Sequence, residues 1–209
     1  MSLDIVKPMD IERRSFEIIT QGLKGRVFDK EQEDIIKRVI HTSADFDYAD
    51  NLVFSENVVE KALSAIKRGA TIVTDTNMAF SGINKRVVTQ LGGQVKCFMS
   101  DKDVANSAKE RGITRAMVSM EKACTVKGEL ILVIGNAPTA LIWINKLYNE
   151  GKLNPSVVIG VPVGFVNVIE SKELILNSDI PHIVAKGNKG GSNVAAAIVN
   201  ALLYKLGYR

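Results

Sequence analysis

Histidine occurs only twice in the 209 residues and cysteine only twice. Cys97 and Cys124 stand far apart in apolar surroundings and form no CxxC pair or Cys/His cluster, so neither a zinc nor an iron–sulfur site is expected, and both read as reduced core thiols. Aromatic residues make up 6% of the chain, too few to assemble stacking platforms for single-stranded nucleic acid. Met1 to Met9 carries no apolar stretch resembling a secretion signal. No later run approaches the eighteen or so apolar residues of a membrane span, so a cytoplasmic protein without a membrane partner is expected. Three signatures are also missing. There is no G-x-x-x-x-G-K-[ST] phosphate loop, no G-x-G-x-x-G after the first strand and no G-x-S-x-G elbow, which disfavours nucleotide chemistry and acyl transfer by a serine nucleophile.

The charge is formally +4, but 27 lysines and arginines are spread among 23 carboxylates rather than gathered into a block. That argues against nucleic acid and suits a small polyanionic substrate. With 46% apolar residues the chain can bury a large core, and one α/β domain over residues 1–209 is expected.

The periodicity predicts two N-terminal helices before any strand, Asp10 to about Leu23 and Glu31 to about Ile40, the second started by Asp29 and Gln32 as a capping box. A third, Glu56 to Arg68, would begin after Ser55 and stop at Gly69. From there short Val- and Ile-rich runs alternate with helices: Thr71–Thr74, Val95–Phe98, Leu130–Ile134, Val157–Ile159 and Ile183–Ala185. Five such strands imply a doubly wound, mostly parallel sheet with helices on both faces and an N-terminal helical extension.

In such a sheet ligands bind beyond the carboxyl ends of the strands. The loop after the first strand holds Thr76, Asn77 and Met78. The loop after the third holds Gly135-Asn136-Ala137-Pro138-Thr139, in which Pro138 suits a first helical turn and capping by Asn136 or Thr139 explains most of the rest. The fourth is Gly160-Val161-Pro162-Val163-Gly164-Phe165. The last, Lys186-Gly187-Asn188-Lys189-Gly190-Gly191-Ser192, leads into an Ala-rich helix, where glycine amides, the helix N-terminus and Lys186 or Lys189 would together hold a carboxylate or phosphate. Arg115 could reach an anion across the strand ends.

His41 closes the run Arg38-Val39-Ile40-His41-Thr42-Ser43, where a helix gives way to a polar loop. An imidazole there can donate a proton near neutral pH, with a cation and two hydroxyls at hand for an anionic ligand. On spacing alone a helix-terminal histidine is the simpler account. His182, at the start of a strand beside Pro181, reads as structural. Asp45, Asp47 and Asp50 with Phe46 and Tyr48 read as a solvated loop or a subunit contact.

Taken in order along nearly the whole chain, several segments resemble the precorrin-8X methylmutase family with its cobalt-precorrin-8 relatives. They are Ile11-Glu12-Arg13-Arg14-Ser15-Phe16, Arg38 to Asp45, Asp75-Thr76-Asn77-Met78, Gly135 to Leu141, Gly160 to Val166, Glu170-Ser171-Lys172 and Lys189-Gly190-Gly191-Ser192. The resemblance implies an isomerase of corrin ring biosynthesis that moves a methyl group from C11 to C12, with no cofactor and no protein-bound metal. It implies His41 as proton donor to ring C, with Ser15 and Arg38 binding the substrate. Thr76, Asn77, Met78, Arg115, Asn136 and Lys189 are further substrate-binding candidates that rest more on loop placement. A tetrapyrrole substrate and product, and a homodimer, are the implied partners. A non-catalytic corrinoid carrier is the alternative. The final loop departs from the family, carrying Lys186 and Asn188 where relatives are richer in arginine, so fewer bidentate carboxylate contacts are expected.

Overall fold

The structure is a computed structural model that describes residues 7–208. Most of the segment read above for a secretion signal, residues 1–6, lies outside the described residues. After a 3-10 turn at Pro8–Asp10 come α1 (Ile11–Gly22), α2 (Lys30–Ser43) and the short α3 (Tyr48–Asn51). The chain continues through β1 (Leu52–Phe54), α4 (Val58–Lys67), β2 (Thr71–Thr74), α5 (Asn77–Gly82), α6 (Lys85–Gln90) and β3 (Gln94–Cys97). It goes on with α7 (Lys102–Arg111), α8 (Arg115–Ala123), β4 (Leu130–Ile134) and α9 (Pro138–Asn149). The last elements are β5 (Val157–Gly160), α10 (Val168–Leu176), β6 (His182–Ala185) and α11 (Ser192–Lys205).

The strands form one sheet in the order β1-β6-β5-β4-β2-β3, parallel throughout except for β1. The five expected strands are present. The sixth, β1, was not expected: Leu52–Phe54 pairs antiparallel with Ala185–Ile183 at the sheet edge. Three residues are too short a run to show a period of two, so pairing with β6 rather than local pattern makes this strand.

Alternation along each strand divides the core. Ile72, Ile131, Val133, Ile159 and Ile183 face a layer built from α1, α2, α4, α6 and α11. Val73, Leu132, Ile134, Val158 and Val184 face α8, α9 and α10. Each of these large side chains, taken fully out of water, contributes roughly 1.5–3 kcal/mol. A strand buried on both faces must be mostly apolar, which is why no polar alternation marked them; the buried exceptions Thr71, Thr74 and His182 stand at strand ends. On the first face α11 packs against α2 and α5, bringing the ends of three helices to one rim.

Helix ends differ in informative ways. Asp29 caps α2 by accepting from the Glu31 amide at 2.8 Å, and the helix runs on to Ser43, where Ala44 in the left-handed region ends it. His41 therefore stands in the last helical turn rather than in a loop. Ser55 does not cap α4; Asn57 precedes that helix in the left-handed conformation, and the Ser55 hydroxyl instead accepts from the His182 amide at 2.8 Å. Among the described residues no helix is long and apolar enough to cross a membrane.

Candidate active site

The strand order reverses at β2, which has β3 on one side and β4 on the other. A parallel sheet opens a crevice at such a switch point, beyond the carboxyl ends of the two strands. Here Asp75, the residue directly after β2, fills it. Its carboxylate accepts from the amides of Gly135 at 2.8 Å, Asn136 at 2.8 Å and Ala137 at 2.6 Å, and the side chain is 1% exposed. Burial pushes the Asp75 carboxyl above its usual range, and the three amides pull it the other way. The amides of the β4–α9 loop are thus spoken for. Asn136 keeps an exposed side chain, but neither it nor Thr139 caps α9.

With that crevice closed, the open rim lies around the N-termini of α5, α8 and α11. The Thr76 hydroxyl caps α5 by accepting from the Ala79 amide at 3.0 Å and touches the Ser192 hydroxyl at 2.8 Å, so the first and last loops are joined. Asn77 donates to the Ser100 hydroxyl at 3.0 Å, and Met78 is 68% exposed. Thr114 caps α8, and its hydroxyl lies 3.0 Å from that of Thr139. This places the exposed Arg115, next in sequence, beside the start of α9. In the fourth loop Phe165 and Val166 are 90% and 79% exposed, an apolar ledge on the same rim.

The two glycine loops lean on each other. The Gly164 amide donates to the Asn188 carbonyl at 3.1 Å, and the Gly191 amide to that of Val161 at 2.8 Å. A methyl group on Gly190 would overlap the Val161 carbonyl oxygen. Gly190→Ala is therefore expected to cost about 2–3 kcal/mol in urea denaturation, because backbone on both sides must move; an unchanged midpoint would show that the loops are not packed this way.

Lys189 is not the free cation the sequence suggested. Its ammonium lies 2.6 Å from both Asp45 and Asp47, in the loop after α2. The hydrogen bond from Lys189 holds the Asp45 carboxyl below its usual range. The pair pins the His41 loop to the final glycine loop. Arg38 is also engaged: it lies 2.6 Å from Glu12, with its guanidinium carbon 4.6 Å from the Phe16 ring centre and 4.9 Å from that of Tyr204. His41 stacks on Phe16 as well, with ring centres 5.4 Å apart and planes 19° from parallel. Ser15 donates back to the Ile11 carbonyl of its own helix at 2.9 Å. Beside this group a cleft of about 790 Å³ opens between α1, α2 and the end of α11, lined by Glu12, Phe16, Arg38 and Tyr204 among others.

The structure thus joins Arg38 and His41 through Phe16, and Thr76 to Ser192 across the rim. The Lys189–Asp45 bridge links the two groups. No direct contact ties His41 to Thr76, Asn77, Met78, Arg115 or Asn136. The other histidine, His182, is buried, with Nδ1 2.8 Å from the Ile180 carbonyl oxygen, and burial lowers its pKa. Both cysteines are free and half-buried rather than deep in the core. Among the described residues no group of three His, Cys, Asp or Glu side chains could hold a metal ion.

The family model described as precorrin-8X methylmutase matches residues 10–205. The chain belongs to the precorrin-8X methylmutase family. A cobalt-precorrin-8 methylmutase of Salmonella typhimurium is 46% identical over 97% of both chains. A precorrin-8X methylmutase of Pseudomonas aeruginosa is 34% identical over 92% of this chain and 93% of its own. The crystal structure of the precorrin-8X methyl mutase from Thermus thermophilus superposes with a TM-score of 0.85 at 33% identity, covering 93% of this chain and 96% of the other. Within a methylmutase, a rim of loops ringed by helix N-termini, with one exposed imidazole at its edge, is the place to look for the substrate. Two buried charged-type residues at this end of the sheet, Asp75 and Lys172, were not singled out from the sequence as site residues. For Lys172 a signal existed, since Val168, Ser171, Lys172 and Ile175 follow the spacing of one buried helix face.

Proposed function

We propose that this methylmutase, an isomerase of cobalamin biosynthesis, converts cobalt-precorrin-8 by shifting the C11 methyl group to C12, with His41 as the proton donor to ring C. The observation that carries the assignment is the position of His41: an exposed imidazole on the face of Phe16, with no hydrogen-bond partner for either ring nitrogen among the described residues. His182 is built into the fold and cannot serve. The shift is intramolecular: the bond from methyl to C11 breaks as that to C12 forms, no atom is gained or lost, and neither oxidant nor methyl donor is needed. A proton delivered to ring C withdraws electron density from the migrating framework, and the protein's remaining task is to position the macrocycle.

The acidic periphery of such a substrate suits the rim. Arg115 is free to meet a carboxylate, and the amides ahead of α11 can meet another. Ser15, Arg38, Thr76, Asn77, Met78, Asn136 and Lys189 belong to the same reading as substrate contacts, with Arg38 and Lys189 exchanging their internal carboxylates for those of the ligand. The cobalt form is favoured because the relative named for cobalt-precorrin-8 is more similar to this chain, at 46% identity, than the one named for precorrin-8X, at 34%. A cytoplasmic homodimer without a nucleic-acid partner completes the reading, and light scattering on the purified chain tests the dimer.

The deciding experiment is an absorption time course on purified protein with cobalt-precorrin-8 and, in parallel, precorrin-8X. Isomerisation replaces one chromophore by another, with faster turnover of the cobalt form expected. A fixed spectral offset that saturates with protein and never progresses would instead identify a corrinoid carrier.

A further inference from the structure

Lys172, on the second turn of α10, is 1% exposed and is the largest of the fully buried side chains. Its ammonium donates to the carbonyls of Gly187 at 2.6 Å and Lys189 at 2.8 Å, both in the glycine loop ahead of α11. A buried ammonium is strongly disfavoured unless a counter-ion compensates it. None is present. The titratable groups on the elements around it are Lys146 and Tyr148 of α9, Glu170 and Glu173 of its own helix, His182 of β6, and Lys186 and Lys189 of the loop. None of them acts on it, and burial alone lowers its pKa to about 8.

The hydrogen bonds also set the loop's orientation. In a trans peptide the carbonyl and the following N–H point in opposite directions. With the Gly187 and Lys189 carbonyls turned in to Lys172, the amides of Asn188 and Gly190 turn out, and neither has a partner among the described residues. Gly187 and Gly191 adopt φ of +73° and +136°, which this alternation requires and which other residues resist. A cation without a counter-ion thus lies under a loop whose amides face the rim.

We propose that Lys172 is a positioning residue for substrate binding, holding the loop 186–191 with its amides outward and supplying from beneath the positive charge that a peripheral carboxylate of the bound macrocycle neutralises. The inference rests on the methylmutase reading and deepens it. A bound carboxylate favours the charged amine, so binding is at full strength below about pH 8 and weakens as the free protein's Lys172 loses its proton above that pH.

The test is KM and kcat with cobalt-precorrin-8 from pH 6.5 to 9.5 for the wild type, Lys172→Arg and Lys172→Met. In the wild type KM is expected to rise roughly tenfold between pH 8 and 9.5, while kcat, which follows the proton donor, should change alike in wild type and Lys172→Arg. Lys172→Arg stays charged throughout, so its KM at pH 7 should lie within about threefold of wild type and not rise above pH 8. Lys172→Met should show a KM at least tenfold higher at pH 7 and no rise. A purely structural lysine would give the arginine variant the wild-type pH profile, and that result overturns the inference while turnover itself stands. Should Lys172→Met fail to fold by circular dichroism, the comparison of wild type with Lys172→Arg decides alone. A wild type that leaves the tetrapyrrole unconverted removes the functional reading, and this inference with it.

Discussion

Alanine in place of His41 is expected to reduce turnover of cobalt-precorrin-8 by about two to four orders of magnitude, the usual contribution of a placed proton donor. Substrate binding should survive, because the carboxylate-holding groups lie elsewhere on the rim. Folding should survive too. The side chain is exposed at the last turn of α2 and makes one ring contact, to Phe16. Losing that stack and the favourable helix-end charge amounts to roughly 1–2 kcal/mol at most, or a Tm lower by no more than about 4–8 °C for a chain of this size. His41→Asn separates polarity from proton transfer, since the amide can hydrogen-bond the macrocycle but cannot protonate it, and it should be nearly as inactive as His41→Ala. Turnover within threefold of wild type in either variant, measured by the same absorption time course, removes the histidine from the mechanism.

The attribution of proton transfer to His41 draws on what surrounds it. Arg38 and His41 share the Phe16 ring, and Arg38 is held further by Glu12 and Tyr204. An aromatic platform that orients a cation and an imidazole together fixes the imidazole's direction without occupying its nitrogens. The exposed Met78 and Phe165 offer apolar surface on the same rim.

How far this was legible in the sequence differs from element to element. Runs such as Leu130–Ile134 announce themselves because a strand covered on both faces is apolar along most of its length, and the loops that follow them then fall at one end of the sheet. The edge strand Leu52–Phe54 was missed because nothing local distinguishes it; its partner, β6, lies some 130 residues away in sequence. Lys189 reads in sequence as a cation open to a ligand, yet two carboxylates engage it, from Asp45 and Asp47, and such long-range ion pairs leave no trace in local spacing. The same holds for Asp75. In sequence it is an acidic residue after a strand, easily taken for a loop residue open to solvent. Only the reversal of strand order brings three amides to it.

Removing the Asp75 carboxylate is accordingly expected to be among the most damaging single changes in the chain. Three backbone donors, on Gly135, Asn136 and Ala137, point at its two oxygens from 2.6–2.8 Å in a place closed to water. Each buried donor left unmatched costs about 1–3 kcal/mol, so Asp75→Ala should lose roughly 3–5 kcal/mol, some 10 °C or more in Tm. Asp75→Asn is the sharper test, because it preserves shape. One side of an asparagine still accepts, but the other presents an N–H to an N–H, and both oxygens of the natural residue are in use. A loss of about 2–3 kcal/mol is expected, with a raised KM as the β4–α9 loop and its neighbour Arg115 lose their register. Wild-type stability in Asp75→Asn would mean that the switch-point crevice accepts a neutral group, and a ligand carboxylate could then compete for the same amides. A several-fold gain in product affinity for Asp75→Ala over wild type, read by absorbance titration, would mark that crevice as a carboxylate site that Asp75 normally closes.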